Sequence, residues 1–128
     1  MEKTMQYAVS TTVTLLFCAF LSCTCDYTSG ERATNQSGEY TAFTEGRGCG
    51  AVSSYESHVQ IERAYRVFGH VAWTSRKGIF GATVNLDQLK LRWTDDRHLL
   101  VECRCKKETA LFNDSHWQDI TIGYQFSQ

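Results

Sequence analysis

The chain has 128 residues, with 13 Lys and Arg against 14 Asp and Glu, for a formal net charge of -1 at pH 7. That balance excludes the electrostatic footprint of a nucleic-acid binder, and the length allows one domain with its own core rather than two. Both charge signs are interspersed without a long acidic or basic block, and neither an internal repeat nor a low-complexity tract is present.

Residues 1–22 read as an export signal. Lys3 precedes an uncharged stretch reaching Cys25, with Val13, Leu15, Leu16, Phe17, Ala19, Phe20 and Leu21 as its apolar core. The whole stretch is long enough to cross a bilayer. Gln6, Ser10, Thr11, Thr12 and Thr14 dilute its first half, however, and the continuous apolar part has the length of a signal core. Losing 1–22 removes Glu2 and Lys3 and leaves the net charge unchanged.

Phe20-Leu21-Ser22-Cys23 resembles the lipobox of bacterial lipoproteins, in which a cysteine after a small residue receives a diacylglyceryl group and becomes the new N-terminus. The resemblance implies lipid attachment at Cys23, where several acyl chains would hold stably what one holds only marginally. Plain signal-peptidase cleavage, with Ser22 and Thr24 as the small residues before Cys25, competes with it. Asn35-Gln36-Ser37 and Asn113-Asp114-Ser115 also fit the glycosylation pattern of a secreted eukaryotic chain.

After Cys23, the Thr, Ser, Asn and Gly content of 26–38 reads as a flexible tether. Strands are expected over 39–45, over 57–63 with Val59 and Ile61 inward, and over 69–74 with Val71 and Trp73 inward. Gly46-Arg47-Gly48-Cys49-Gly50 lacks the ending of a phosphate loop and reads as a tight turn beside a disulfide. Short turns fit 64–68 and 113–118.

The clearest pattern spans 87–105. Leu89, Leu91 and Trp93 alternate with Lys90, Arg92 and Thr94, and the alternation resumes at Leu99, Val101, Cys103 and Cys105. A loop over 94–98 sets Trp93 opposite Leu99, Leu91 opposite Val101, Leu89 opposite Cys103 and Lys90 opposite Glu102, so polarity agrees in all but Arg92 with Leu100. Asp95 and Asp96 sit at its tip, where aspartate bonds nearby backbone amides, and a turn role outweighs a carboxylate or cation site. A last strand over 119–126 puts Ile120, Ile122, Tyr124 and Phe126 on one face.

Of the six cysteines, Cys18 leaves with the signal and Cys23 takes lipid, which leaves Cys25, Cys49, Cys103 and Cys105 as disulfide candidates. Cys49 with Cys103 or Cys105 is the expected bridge. Two alternate residues of one strand lie near the upper separation limit for a disulfide, so a Cys103–Cys105 ring would be tight. The alternative use is a soft-metal site for copper or zinc drawn from Cys103, Cys105, His98 and His116. Its spacing is not that of a zinc ribbon, and no Cys-x-x-Cys marks a redox pair.

No Gly-x-Ser-x-Gly elbow appears, and His58, His70, His98 and His116 have no local partner pattern for nucleophilic catalysis. Trp73, Trp93 and Trp117 would suit a ligand platform, but Trp73 and Trp93 continue apolar alternations, so core packing is expected.

Three pieces together resemble a group of small bacterial exported proteins and lipoproteins of unknown function. They are Cys49-Gly50-Ala51 followed by Val59-Gln60-Ile61, then Leu91-Arg92-Trp93-Thr94-Asp95-Asp96 leading into Leu99-Leu100-Val101, and Trp117-Gln118-Asp119-Ile120-Thr121-Ile122-Gly123-Tyr124. The resemblance spans roughly 38–124 and implies an envelope location and a small β fold, with no catalytic residues to carry over.

The expectation is an all-β protein, a small antiparallel sheet or two-layer β-sandwich or meander. It divides into the signal peptide 1–22, the lipid-attachment cysteine and tether 23–38, and one β domain over 39–128. Its expected role is that of a non-enzymatic structural or interaction module of the bacterial cell envelope, held to the membrane by its lipid on the periplasmic or outer face. An envelope protein is the candidate partner. No cofactor, nucleic acid or small-molecule substrate is expected.

Overall fold

The computed structural model describes residues 25–49 and 55–128, so the signal segment, Cys18 and the lipid site at Cys23 lie outside the described residues. The strands are β1 (Cys25–Thr34), β2 (Tyr40–Cys49), β3 (Glu56–Val67), β4 (His70–Ala82), β5 (Leu89–Asp95), β6 (His98–Cys103), β7 (Ala110–Asn113), β8 (His116–Trp117) and β9 (Ile120–Phe126). Single 3-10 turns at Leu86–Gln88 and Lys107–Thr109 lead into β5 and β7. The fold is all-β.

One sheet has the order β1-β2-β3-β4-β7 and the other β5-β6-β9-β8. Both contribute to one core: Ala42, Val59, Ile61, Ile79 and Phe80 from the first meet Leu91, Leu99, Val101, Ile120 and Ile122 from the second. Each of these side chains larger than that of Ala42 contributes about 1.5–3 kcal/mol by leaving water. The two-layer arrangement follows because a sheet with one apolar face has to cover it.

The hairpin of β5 and β6 has the register read from its alternation. Leu89 faces Cys103, Leu91 faces Val101, Trp93 faces Leu99 and Lys90 faces Glu102. Leu91 and Val101 are buried while Lys90 is exposed, so the period-two pattern mirrors real inside and outside positions. The loop expected over 94–98 is shorter, because Asp95 pairs with His98 after a bulge and the turn is Asp96 and Arg97 alone. Asp95 accepts from the Arg97 amide at 2.8 Å, the turn role expected of it.

Four further features depart from expectation. Segment 26–38 is not a tether: its first part forms β1, paired with β2 from Cys25 opposite Cys49 to Thr34 opposite Thr41. Its polar side chains are polar because β1 is an exposed edge strand, and composition alone reads the same for both states. Asn35, 4% exposed, closes the corner by accepting from the Tyr40 amide and donating to the Asp96 carbonyl at 3.0 Å. The sheets are not wholly antiparallel either, since β6 and β9 run parallel. A parallel pair needs a long crossover, and the chain supplies it by sending β7 to the opposite layer.

Of the run read as a turn, Gly46 to Cys49 is strand, lying in β2, and Gly50 lies outside the described residues. A side-chain carbon at Gly46 would run into the Tyr55 hydroxyl, so the position is kept small for packing. Residues 64–67 likewise continue β3, and the turn falls at Phe68 and Gly69.

Candidate functional site

Strands β3 and β4 extend beyond the region the second sheet covers. Val59 and Ile61 on β3 and Ile79, Phe80 and Ala82 on β4 are buried, while burial falls away toward Val67 and His70. Val71 and Trp73, expected inward, are 51% and 57% exposed. Period-two alternation assigns residues to a common face but not to a covered one, and among the described residues no second layer lies over this part of the sheet.

The projecting hairpin is ordered by side-chain stacking. Tyr65 and Trp73 are directly opposite, with rings stacked at 4.8 Å between centroids and 13° between planes. The Arg63 guanidinium lies over the Tyr65 ring at 4.7 Å. At the base, Arg63 pairs with Glu39 at 2.8 Å and donates to the Gln118 side-chain oxygen at 2.6 Å. Gln118 in turn donates to the Tyr65 hydroxyl, so the turn between β8 and β9 braces the hairpin from the other sheet. Burial works against the Arg63 charge, but Tyr40, Tyr65 and Glu39 outweigh it and hold its pKa above the ordinary value.

At the tip, Phe68 and Gly69 both have positive φ, 53° and 81°. This is the backbone of a two-residue hairpin turn that normally takes Asn-Gly or Gly-Gly. Phe68 is 97% exposed. Between residues 62 and 77 the hairpin carries Arg63, Arg66, Arg76 and Lys77 against Glu62 alone, in a chain whose net charge is -1. Arg63, Arg76 and Lys77 are paired to Glu39, Glu62 and Asp114. Arg66, nearest the tip, has no ion-pair partner among the described residues and donates to the Gly69 carbonyl.

The cysteines pair differently from expectation. Cys25 bonds Cys49, and Cys103 bonds Cys105. The first bridge joins directly opposed residues of β1 and β2, a pairing hidden while 26–38 was read as a tether. The second forms because β6 ends at Cys103 and the chain bends at Arg104 and Cys105. The bend leaves the Cα atoms 5.2 Å apart, where an extended strand would separate them further.

With Cys103 and Cys105 bonded to each other, the metal alternative loses both its thiolates. His98 bonds Asp95 at 2.7 Å and His116 bonds Ser115 at 3.0 Å. Among the described residues no group of three or more His, Cys, Asp and Glu is placed to hold a metal ion. The Asp95 carboxyl is held below the usual aspartate range, first by the Arg97 amide and then by His98. Arg97 itself turns to Glu39 and Asp119.

The tryptophans separate into three roles. Trp93 packs against the core and donates to the Ala33 carbonyl, Trp117 meets the Tyr40 ring edge-on, and Trp73 stands on the exposed hairpin. A recess of about 410 Å³ lies beside Cys103, between Lys90, Glu102, Arg104 and Gln125. Ser127 also lines it, and its hydroxyl makes no hydrogen bond to Glu102 or Lys90 among the described residues. The hairpin tip was missed in the sequence, although Val67-Phe68-Gly69-His70, flanked by Tyr65 and by Val71 and Trp73, has the length and glycine of a two-residue turn.

Set against protein-family models, curated proteins and solved structures, the chain matches none.

Proposed function

We propose that the protein is an exported, lipid-anchored interaction module of the cell envelope that works by contact rather than catalysis, with the β3–β4 hairpin as its contact element. Phe68 carries this reading. A phenylalanine in the left-handed region costs about 1–2 kcal/mol relative to glycine, and Phe68 buries almost nothing in return. Strain that the fold does not use points to a role outside the fold.

The mounting supports the same reading. Tyr65, Trp73 and Arg66 belong to the residue types that dominate interface energetics, and the network of Arg63, Glu39 and Gln118 holds Tyr65, and through its stacked ring Trp73, ready, which lowers the ordering cost of binding. Cys25 is tied to Cys49 at the other end of the first sheet, so an acyl group on Cys23 would leave the hairpin pointing away from the anchoring membrane.

The test is photo-crosslinking in cells with a photoreactive residue at position 68 or 73, and at exposed Lys107 as control. Adducts at 68 and 73 but not at 107 are expected. Equal yields at all three positions, or none at the hairpin, would reject the hairpin as the contact element. For the anchor, the wild type should carry an acyl mass on Cys23 that Cys23→Ser lacks; an acyl-free wild type removes it.

A further inference from the structure

The exposed apolar and aromatic side chains of the hairpin are ordered by distance from its tip. Phe68 is outermost, with Val67 and Val71 beside it, 47% and 51% exposed. One step back stand the stacked Tyr65 and Trp73. Arg66 and His70 flank the turn, directly opposite Val71 and Val67, and the ion-paired Arg63 and Arg76 lie behind Tyr65 and Trp73. At about 3.3 Å per strand residue, Tyr65 sits roughly 10 Å behind Phe68 and Arg63 roughly 16 Å behind it.

A bilayer surface has the same order of apolar and aromatic levels, hydrocarbon and then an interfacial zone favouring Trp and Tyr, and its anionic headgroups attract a long cation such as Arg66 that can reach back from the tip. A folded protein pocket places no such demand on the order of residues along a hairpin. We propose that the β3–β4 hairpin docks on an anionic lipid surface, inserting Phe68, Val67 and Val71 and setting Tyr65 and Trp73 at the headgroup level. This rests on the reading of the hairpin as the contact element and names what it contacts.

Charge enters through Arg66, the hairpin cation without an ion-pair partner among the described residues, because Arg63, Arg76 and Lys77 are already paired to Glu39, Glu62 and Asp114. The geometry also separates this contact from any acyl group. From Glu56, near the Cys25–Cys49 end, to Phe68 the strand runs roughly 40 Å. A lipid on Cys23 and the hairpin would therefore meet two lipid surfaces, and without that lipid the hairpin alone would hold the domain at a bilayer.

The test uses the full chain carrying Cys23→Ser, so that no acyl group contributes, and vesicles of phosphatidylglycerol and phosphatidylcholine containing brominated lipid. Residues 1–24 contain no tryptophan, so quenching reports the folded domain and not the leader. Quenching that disappears in Trp73→Phe is expected, together with partitioning about tenfold or more weaker in Phe68→Ser and about fivefold weaker in Arg66→Gln. Far-ultraviolet circular dichroism of each variant establishes that it is folded.

Unquenched Trp73, or equal quenching with pure phosphatidylcholine, overturns the proposal. If Trp73 stays unquenched while crosslinks at position 68 persist in cells, the partner is a protein, the lipid inference falls and the hairpin remains the contact element. Loss of both removes the two together.

Discussion

The Trp93 indole donates to the Ala33 carbonyl at 2.8 Å, joining the second sheet to the edge strand of the first. Nearby, the Leu91 amide reaches the Glu31 carboxylate. The strand that carries the Cys25 bridge is thus held from both layers.

Trp93→Phe keeps an aromatic ring and removes the donor, leaving the Ala33 carbonyl half-buried without its partner. A loss of about 1–2 kcal/mol in urea unfolding is expected. Trp73→Phe, on the exposed hairpin, should stay within about 0.5 kcal/mol. Equal losses for the two would contradict the division of roles between them.

The disulfide pairing is open to direct mapping. Trypsin cuts after Arg104, so a non-reduced digest should hold the Cys103 and Cys105 peptides together by their bond, and a separate species linking Cys25 to Cys49. A species joining Cys49 to either of the later cysteines would refute the pairing. The Cys25–Cys49 bridge closes the longer loop, spanning 24 residues. Replacing both of its cysteines with alanine should cost about 3 kcal/mol by loop-closure entropy.

Phe68→Asn places a residue tolerant of positive φ in the turn. Stability should rise by about 1 kcal/mol, read as a higher urea midpoint, while contact through the hairpin weakens. A midpoint that is unchanged or lower would mean that Phe68 carries no strain.

Tyr124 gives a pH dependence. Its hydroxyl lies 2.6 Å from the Asp114 carbonyl and 3.0 Å from that of Ile79. Burial first, and Asp114 second, hold its pKa well above the ordinary tyrosine value of 10.0. In a raised-pKa group the stabilising contribution is complete below the unfolded value and declines as pH climbs from there toward the folded one. Stability should therefore fall above about pH 10, and Tyr124→Phe should fall less steeply. Parallel curves for the two proteins would show that Tyr124 is not the group responsible.

The sequence exposed its local pairings well. Register in β5 and β6 was legible because one face is buried and a one-residue slip would exchange Leu91 for Lys90 on it. Phe68 was harder to see. A two-residue turn shows as a glycine between alternating runs, but the exposure of the runs depends on whether another layer reaches them.

Length, alternation and cysteine content alone determined an all-β domain with disulfides, since strand period and side-chain polarity are written residue by residue. Three things waited for the tertiary structure: that β1 is an edge strand and not a tether, that Cys103 pairs with Cys105 across a bend, and that Trp73 faces solvent. Each depends on contacts between segments far apart in the chain. Polar composition, two-residue spacing and apolar alternation are the same in the sequence whichever way those contacts form.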